Sequence, residues 1–151
     1  MFYVIDEDEI QLKPLRLELD LRGIANELIP NADEALRLLP TFQPTDYLAI
    51  DVMLAVNPEE GRSSFSRDET EDYKLTGLKL VEKIVAAPSN FPLSHIILMS
   101  QAASKRMIDR IAQFAKQHGI IWLSKSAYDD PVPLGDQIES IIRRPSDQGS
   151  A

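Results

Sequence analysis

The stretch Tyr47-Leu48-Ala49-Ile50-Asp51-Val52-Met53-Leu54 decides the reading of this chain. A short apolar run ends in a carboxylate, so Asp51 stands where a buried strand opens into a loop. Ligand sites in parallel α/β sheets form at such carboxyl ends of strands. Three further runs end in polar groups: Phe2-Tyr3-Val4-Ile5 in Asp6-Glu7-Asp8, Ile96-Ile97-Leu98-Met99 in Ser100, and Ile120-Ile121-Trp122-Leu123-Ser124 in Lys125. An acidic pair, a central Asp, a hydroxyl and a Lys, all at strand ends, compose a site for a metal ion and a phosphoryl group.

Working outward, apolar runs alternate with amphipathic segments. Strands are predicted at Phe2–Asp6, Gly23–Leu28, Tyr47–Asp51, His95–Met99 and Ile120–Ser124. Helical spacing predicts Glu9–Arg22, Ala32–Leu39, Leu75–Ala87, Ala103–His118 and Pro133–Arg144. Leu12, Leu15 and Leu19 share one face of the first helix. Leu78, Val81, Ile84 and Val85 share one face of the third. Asn31 with Glu34 three residues on has the form of a capping box, and Gly23 and Gly119 suit helix ends. Asp8 reads as a residue at the start of a helix rather than as a ligand. The β-α alternation implies a doubly wound parallel sheet of five strands covered on both faces. Residues 1–144 make one domain and 145–151 a polar tail.

Composition excludes several classes. The 151 residues suit a single core, and 44% hydrophobic with 26% charged residues is globular composition. No apolar run approaches a membrane span, and the N-terminus lacks the basic region of a signal peptide. There is no Cys, which excludes disulfides and thiolate chemistry and fits a cytoplasmic protein. A net charge of −8 disfavours direct nucleic-acid binding, because phosphate contacts need clustered Lys and Arg.

Taken in order, these residues resemble a bacterial response-regulator receiver domain of the CheY-like superfamily, over residues 1–144 apart from an insertion. Asp6 and Glu7 match the family's acidic pair. Asp51-Val52-Met53-Leu54 resembles the D-x-M-L run that begins at the phosphoacceptor. Thr76-Gly77-Leu78 resembles D-G-L. Ser100, Lys125 and Trp122 match the hydroxyl, the Lys and the switch aromatic. The resemblance implies a flavodoxin-like (βα)5 fold and a phosphorelay function. A histidine kinase or phosphotransfer protein would donate a phosphoryl group to Asp51, and a conformational switch would signal to a downstream effector. It also allows a homodimer through the face of helix four, strand five and helix five.

By the same resemblance, Asp6, Glu7, Asp51 and the Met53 main-chain carbonyl would hold the metal. An all-oxygen set suits Mg²⁺, with Mn²⁺ as substitute. Lys125 would pair with a phosphoryl oxygen, and Ser100 would donate to another. The space that Ser100 leaves would be taken by Trp122. The chain departs from the pattern at Ala55, Gln101, Ser126 and Ala127. Ser126 replaces the family's Pro, and a trans Lys125–Ser126 bond is expected, since cis bonds outside proline are rare. Gln101, Ser126 and the insertion support the alternative of a receiver-like interaction module that works without phosphorylation. A phosphatase of the haloacid-dehalogenase class also uses a strand-end Asp, but it wants a second acid where Met53 stands.

Residues 55–74 form an insertion far longer than a usual loop. The many charges, Ser63, Ser64 and Ser66, and the few apolar anchors predict a mobile excursion rooted beside Asp51, with Phe65, the one aromatic deep inside, as the residue that would pin it to this molecule or to a partner. Its expected role is to restrict which donors reach Asp51, without supplying catalytic groups.

Overall fold

The computed structural model describes residues 1–57, 59, 62–101, 104–125 and 130–144. The start of the predicted fourth helix at Ala103, the Lys125–Ser126 bond, Ala127 and the 145–151 tail lie outside the described residues. The strands are β1 (Phe2–Ile5), β2 (Asn26–Ile29), β3 (Tyr47–Asp51), β4 (Ile96–Ser100) and β5 (Ile121–Ser124). The helices are α1 (Glu9–Leu21), α2 (Ala32–Leu38), α3 (Thr76–Ala86), α4 (Lys105–His118) and α5 (Pro131–Ile142). All pairings are parallel, in the order β2-β1-β3-β4-β5. This is the doubly wound α/β sheet that the alternation predicts. Among the described residues, no helix is long and apolar enough to cross a membrane.

Two cores lie on opposite faces of the sheet because successive strand residues point to opposite sides. Ile5, Leu48, Ile50 and Leu98 join α2, α3 and α4 in one core. Val4, Ala49, Ile97, Met99 and Leu123 join α1 and α5 in the other. Strands buried on both faces read as unbroken apolar runs, which is why β1, β3 and β4 are so plain in the sequence.

Local chemistry sets the helix boundaries. Asp8 caps α1 by accepting the Gln11 N–H, Asn31 caps α2 through Glu34, and Ser104 caps α4 through Met107. Gly119 ends α4 in the left-handed region at φ 65°, which a residue without Cβ adopts without strain. On the α1–α5 side, the Arg22 guanidinium gathers Glu18, Asp136 and Glu139.

Three expectations need correction. β2 begins at Asn26, because Gly23 and Ile24 complete the turn out of α1. His95 belongs to a 3₁₀ turn over Leu93–His95, stacked on Tyr47 at 4.0 Å, so β4 starts one residue later. Val85 is exposed, since the α3 face that meets the sheet is narrower than its apolar stripe.

The insertion is also not a free excursion. Phe65 is buried in the α2–α3–α4 core, with the Lys83 ammonium over its ring at 5.1 Å. Asp33, in the first turn of α2, accepts hydrogen bonds from Asn57 N–H (2.8 Å), Ser63 Oγ (2.9 Å) and Ser64 N–H (2.7 Å). Charge patterning pointed to mobility. One buried aromatic and one carboxylate with several backbone and hydroxyl donors outweigh it. Farther along the insertion, the Glu71 carboxylate meets Arg110 of α4 at 2.6 Å.

Candidate functional site at the carboxyl ends of the strands

The strand order reverses between β1 and β3, and such a switch point leaves a crevice outside the strand ends. Ile5 lies opposite Ile50, so Asp6 and Asp51 leave the sheet side by side. Lys125 is brought to them by β5: Ser100 pairs with Ser124 in register, and the Lys125 N–H donates to the Ser100 carbonyl at 2.9 Å. Lys125 Nζ then donates to Asp6 Oδ2 at 2.5 Å and lies 3.0 Å from Asp51 Oδ1. The other Asp6 oxygen accepts the Asp8 N–H at 3.0 Å. Asp6, Asp51, Ser100 and Lys125 are all buried.

Asp51 is the electrostatically unusual member. Removal from water pushes its carboxyl up to about 6, and the Asp6 charge adds to the rise. Lys125 and the Met53 N–H, which donates to Oδ1 at 3.3 Å, oppose it. A desolvated carboxylate beside a second one resists ionisation unless cations compensate. Among the described residues, both contacts to the Asp51 carboxylate fall on Oδ1.

The backbone around Asp51 is tightly held. Val52 N–H donates to the Met99 carbonyl at 3.0 Å, and Gly77 N–H donates to the Val52 carbonyl at 2.9 Å. A Cβ on residue 77 would lie 2.1 Å from the Asp51 carbonyl oxygen, so α3 can start against this loop only with glycine there. Thr76, beside it, is fully buried and donates to the Tyr73 carbonyl at 3.1 Å.

No family model matches the chain, and no curated protein matches it. Solved structures do. A response regulator receiver domain protein (CheY-like) from Methanospirillum hungatei superposes with a TM-score of 0.61 at 17% identity, covering 93% of this chain and 91% of that one. The chain has the receiver-domain fold. A two-component response regulator from Clostridium difficile gives 0.63 at 19% identity, covering 95% of both chains. A response regulator from Burkholderia pseudomallei, solved with a phosphorylated aspartic acid, a calcium ion and citrate, gives 0.58 at 21% identity. It is matched over 99% of this chain and 69% of that one.

Within this receiver fold, Asp6, Asp51 and Lys125 come together and Ser100 stands at the neighbouring strand end. Glu7 is exposed. Among the described residues, no three His, Asp or Glu side chains stand together as a metal-ligand set. Trp122 is half-buried under α4, and its indole N–H has no hydrogen-bond partner among the described residues. Sequence reasoning missed Asp33 and Arg110, which organise the insertion. Neither carries a local signal, because an acid in a first turn and a cation on a helix are ordinary.

Proposed function

We propose that this chain is the phosphoacceptor of a phosphorelay, taking a phosphoryl group onto Asp51. The observation that carries the reading is the convergence of Asp51, Asp6 and Lys125 at the switch point of a receiver fold. A phosphohistidine of a histidine kinase or phosphotransfer protein is the donor. The Asp51 carboxylate attacks phosphorus in line, an O–P bond forms, the N–P bond breaks, and the departing imidazole keeps the electron pair. Catalysis of such transfer is mainly positioning and charge neutralisation. With Oδ1 engaged by Lys125 and the Met53 N–H, Oδ2 is the attacking oxygen.

The donor chemistry fits a hard divalent cation. Asp6 and Asp51 are buried carboxylates that leave the sheet side by side, and such hard oxygen donors suit an ion of this kind. Asp6, Asp51 and the Met53 carbonyl would hold Mg²⁺ or Mn²⁺, with Glu7 reaching it from the rim. When bound, the cation supplies charge neutralisation for the transferring group. Lys125 shares Asp6 with any such ion and can turn its point charge to a phosphoryl oxygen. Ser100 donates a hydrogen bond to a second oxygen. Trp122 follows Ser100 and alters the α4–β5–α5 face read by an effector or by a second copy of the chain.

Treatment with acetyl phosphate and Mg²⁺, followed by intact-mass measurement, tests the reading. One added phosphoryl group is expected, lost in Asp51→Asn. A second reading, an interaction module that works without phosphorylation, is favoured by the exposed Glu7. It wins if wild type gains no mass while phosphodonor-free protein still binds its partner.

A further inference from the structure

The insertion makes a connection that the phosphoacceptor chemistry does not require. Thr70 is fully buried, and its hydroxyl donates to the Ser66 carbonyl at 2.6 Å and accepts the Tyr73 N–H at 3.0 Å. Glu71, Asp72 and Tyr73 follow it with φ of 51°, 59° and 65°. Three successive non-glycine residues in the left-handed region persist only where the surroundings impose them. Here the Asp72 N–H reaches the Arg67 carbonyl at 2.8 Å, the Leu75 N–H reaches the Thr70 carbonyl at 3.0 Å, and the Arg67 guanidinium covers the Tyr73 ring at 5.9 Å. The turn delivers the Glu71 carboxylate to Arg110 of α4 at 2.6 Å. Directly after it, Gly77 abuts the Asp51 carbonyl and bonds the Val52 carbonyl. Residues 71–77 therefore link α4, through Glu71, to the main chain of Asp51, through Gly77 at the start of α3.

We propose that residues 62–75 are a latch that holds α4 through the Glu71–Arg110 pair, and that the chemical state of Asp51 sets the latch. This route runs through α3 and the insertion, apart from Ser100 and Trp122. The hold on α4 stands on geometry alone, whereas its control by Asp51 rests on the phosphoacceptor reading. A left-handed turn of non-glycine residues is costly, and Thr76, the residue next to Gly77, ties it to the Asp51 loop by donating to the Tyr73 carbonyl at 3.1 Å.

Hydrogen–deuterium exchange of the full chain tests the latch. In Glu71→Gln and in Arg110→Gln, amides of α4 from Ile108 to His118 should exchange roughly two- to threefold faster, the size expected of one exposed ion pair. Amides of β1 and β3 should not change. The charge-exchanged double variant Glu71→Arg/Arg110→Glu should return α4 to the wild-type rate. Unchanged α4 exchange in both single variants, or no recovery in the double variant, overturns the latch. A second arm adds acetyl phosphate and Mg²⁺, with phosphoryl occupancy read by intact mass. In phosphorylated wild type, α4 exchange should rise, and Glu71→Gln should show no further rise. Phosphorylated protein with α4 exchange unmoved overturns the coupling. Absence of any mass gain counts against the phosphoacceptor reading and so against control by Asp51, leaving the hold itself judged by the first arm.

Discussion

A Cβ placed on Gly77 would sit 2.1 Å from the carbonyl oxygen of Asp51 and 2.8 Å from the Cα of Val52. Both neighbours are backbone, so neither can turn aside as a side chain would. Gly77→Ala should therefore push α3 from the Asp51 loop and lower stability by about 1–3 kcal/mol, the range of overpacking in a well-filled interior. Urea unfolding reads it. A midpoint equal to wild type would show that α3 does not press on Asp51.

Asp51 itself works against the fold at neutral pH. Its carboxyl lies at about 6 in the folded chain against 3.8 ordinarily. A raised folded value means that the folded state holds the proton longer. This group's contribution is complete below pH ~4 and is lost as pH rises through about 6. Asp51→Asn removes that loss. It should stabilise the protein by on the order of 2–3 kcal/mol at pH 7.5 and by nearly nothing at pH 4. Denaturation of both proteins across that range checks it. A difference that does not grow with pH contradicts the burial argument.

Lys125 is the counter-case. Its Nζ serves two buried carboxylates, and removing it takes a cation from both. Lys125→Met should cost about 3–5 kcal/mol at pH 7, as breaking a buried pair does. Part of this should return at pH 5, because protonation of Asp51 relieves the repulsion, and part should return with Mg²⁺. Calorimetric melting at the two pH values, with and without the ion, is the measurement. A loss that neither acid nor Mg²⁺ reduces would mean that Lys125 acts through packing.

Phe65 is the apolar pin of the insertion. Phe65→Ala should release the segment around it while the sheet survives, and large-to-small changes at such sites cost about 3–5 kcal/mol when the surroundings stay fixed. Limited trypsin digestion should then cut at Arg62, Arg67 or Lys74 much sooner than in wild type, with far-ultraviolet circular dichroism nearly unchanged. Wild-type resistance to cleavage would show that Asp33 alone suffices to hold the segment.

Much of the fold was legible because it rests on local information. Apolar runs bounded by polar residues specify β1, β3 and β4, since strands covered on both faces have no polar side to interrupt them. Capping at Asp8 and Asn31 depends on residues three apart. β2 was misplaced by its start because an edge strand with exposed positions has a weak pattern.

By itself the sequence determined that Asp6, Asp51, Ser100 and Lys125 end strands, and in a parallel sheet all such ends lie at one edge. Only the tertiary structure decided which of them touch. The order β2-β1-β3-β4-β5 sets Asp6 beside Asp51, and the β4–β5 register swings Lys125 onto both, while Glu7 faces outward one residue along. The insertion makes the same distinction more sharply. Its composition is that of a solvated loop, but Phe65, Thr70, Asp33 and Arg110 fasten it, and these partners lie on separate elements. Contacts between residues far apart in the chain depend on how helices and strands pack, and no local pattern encodes that distance.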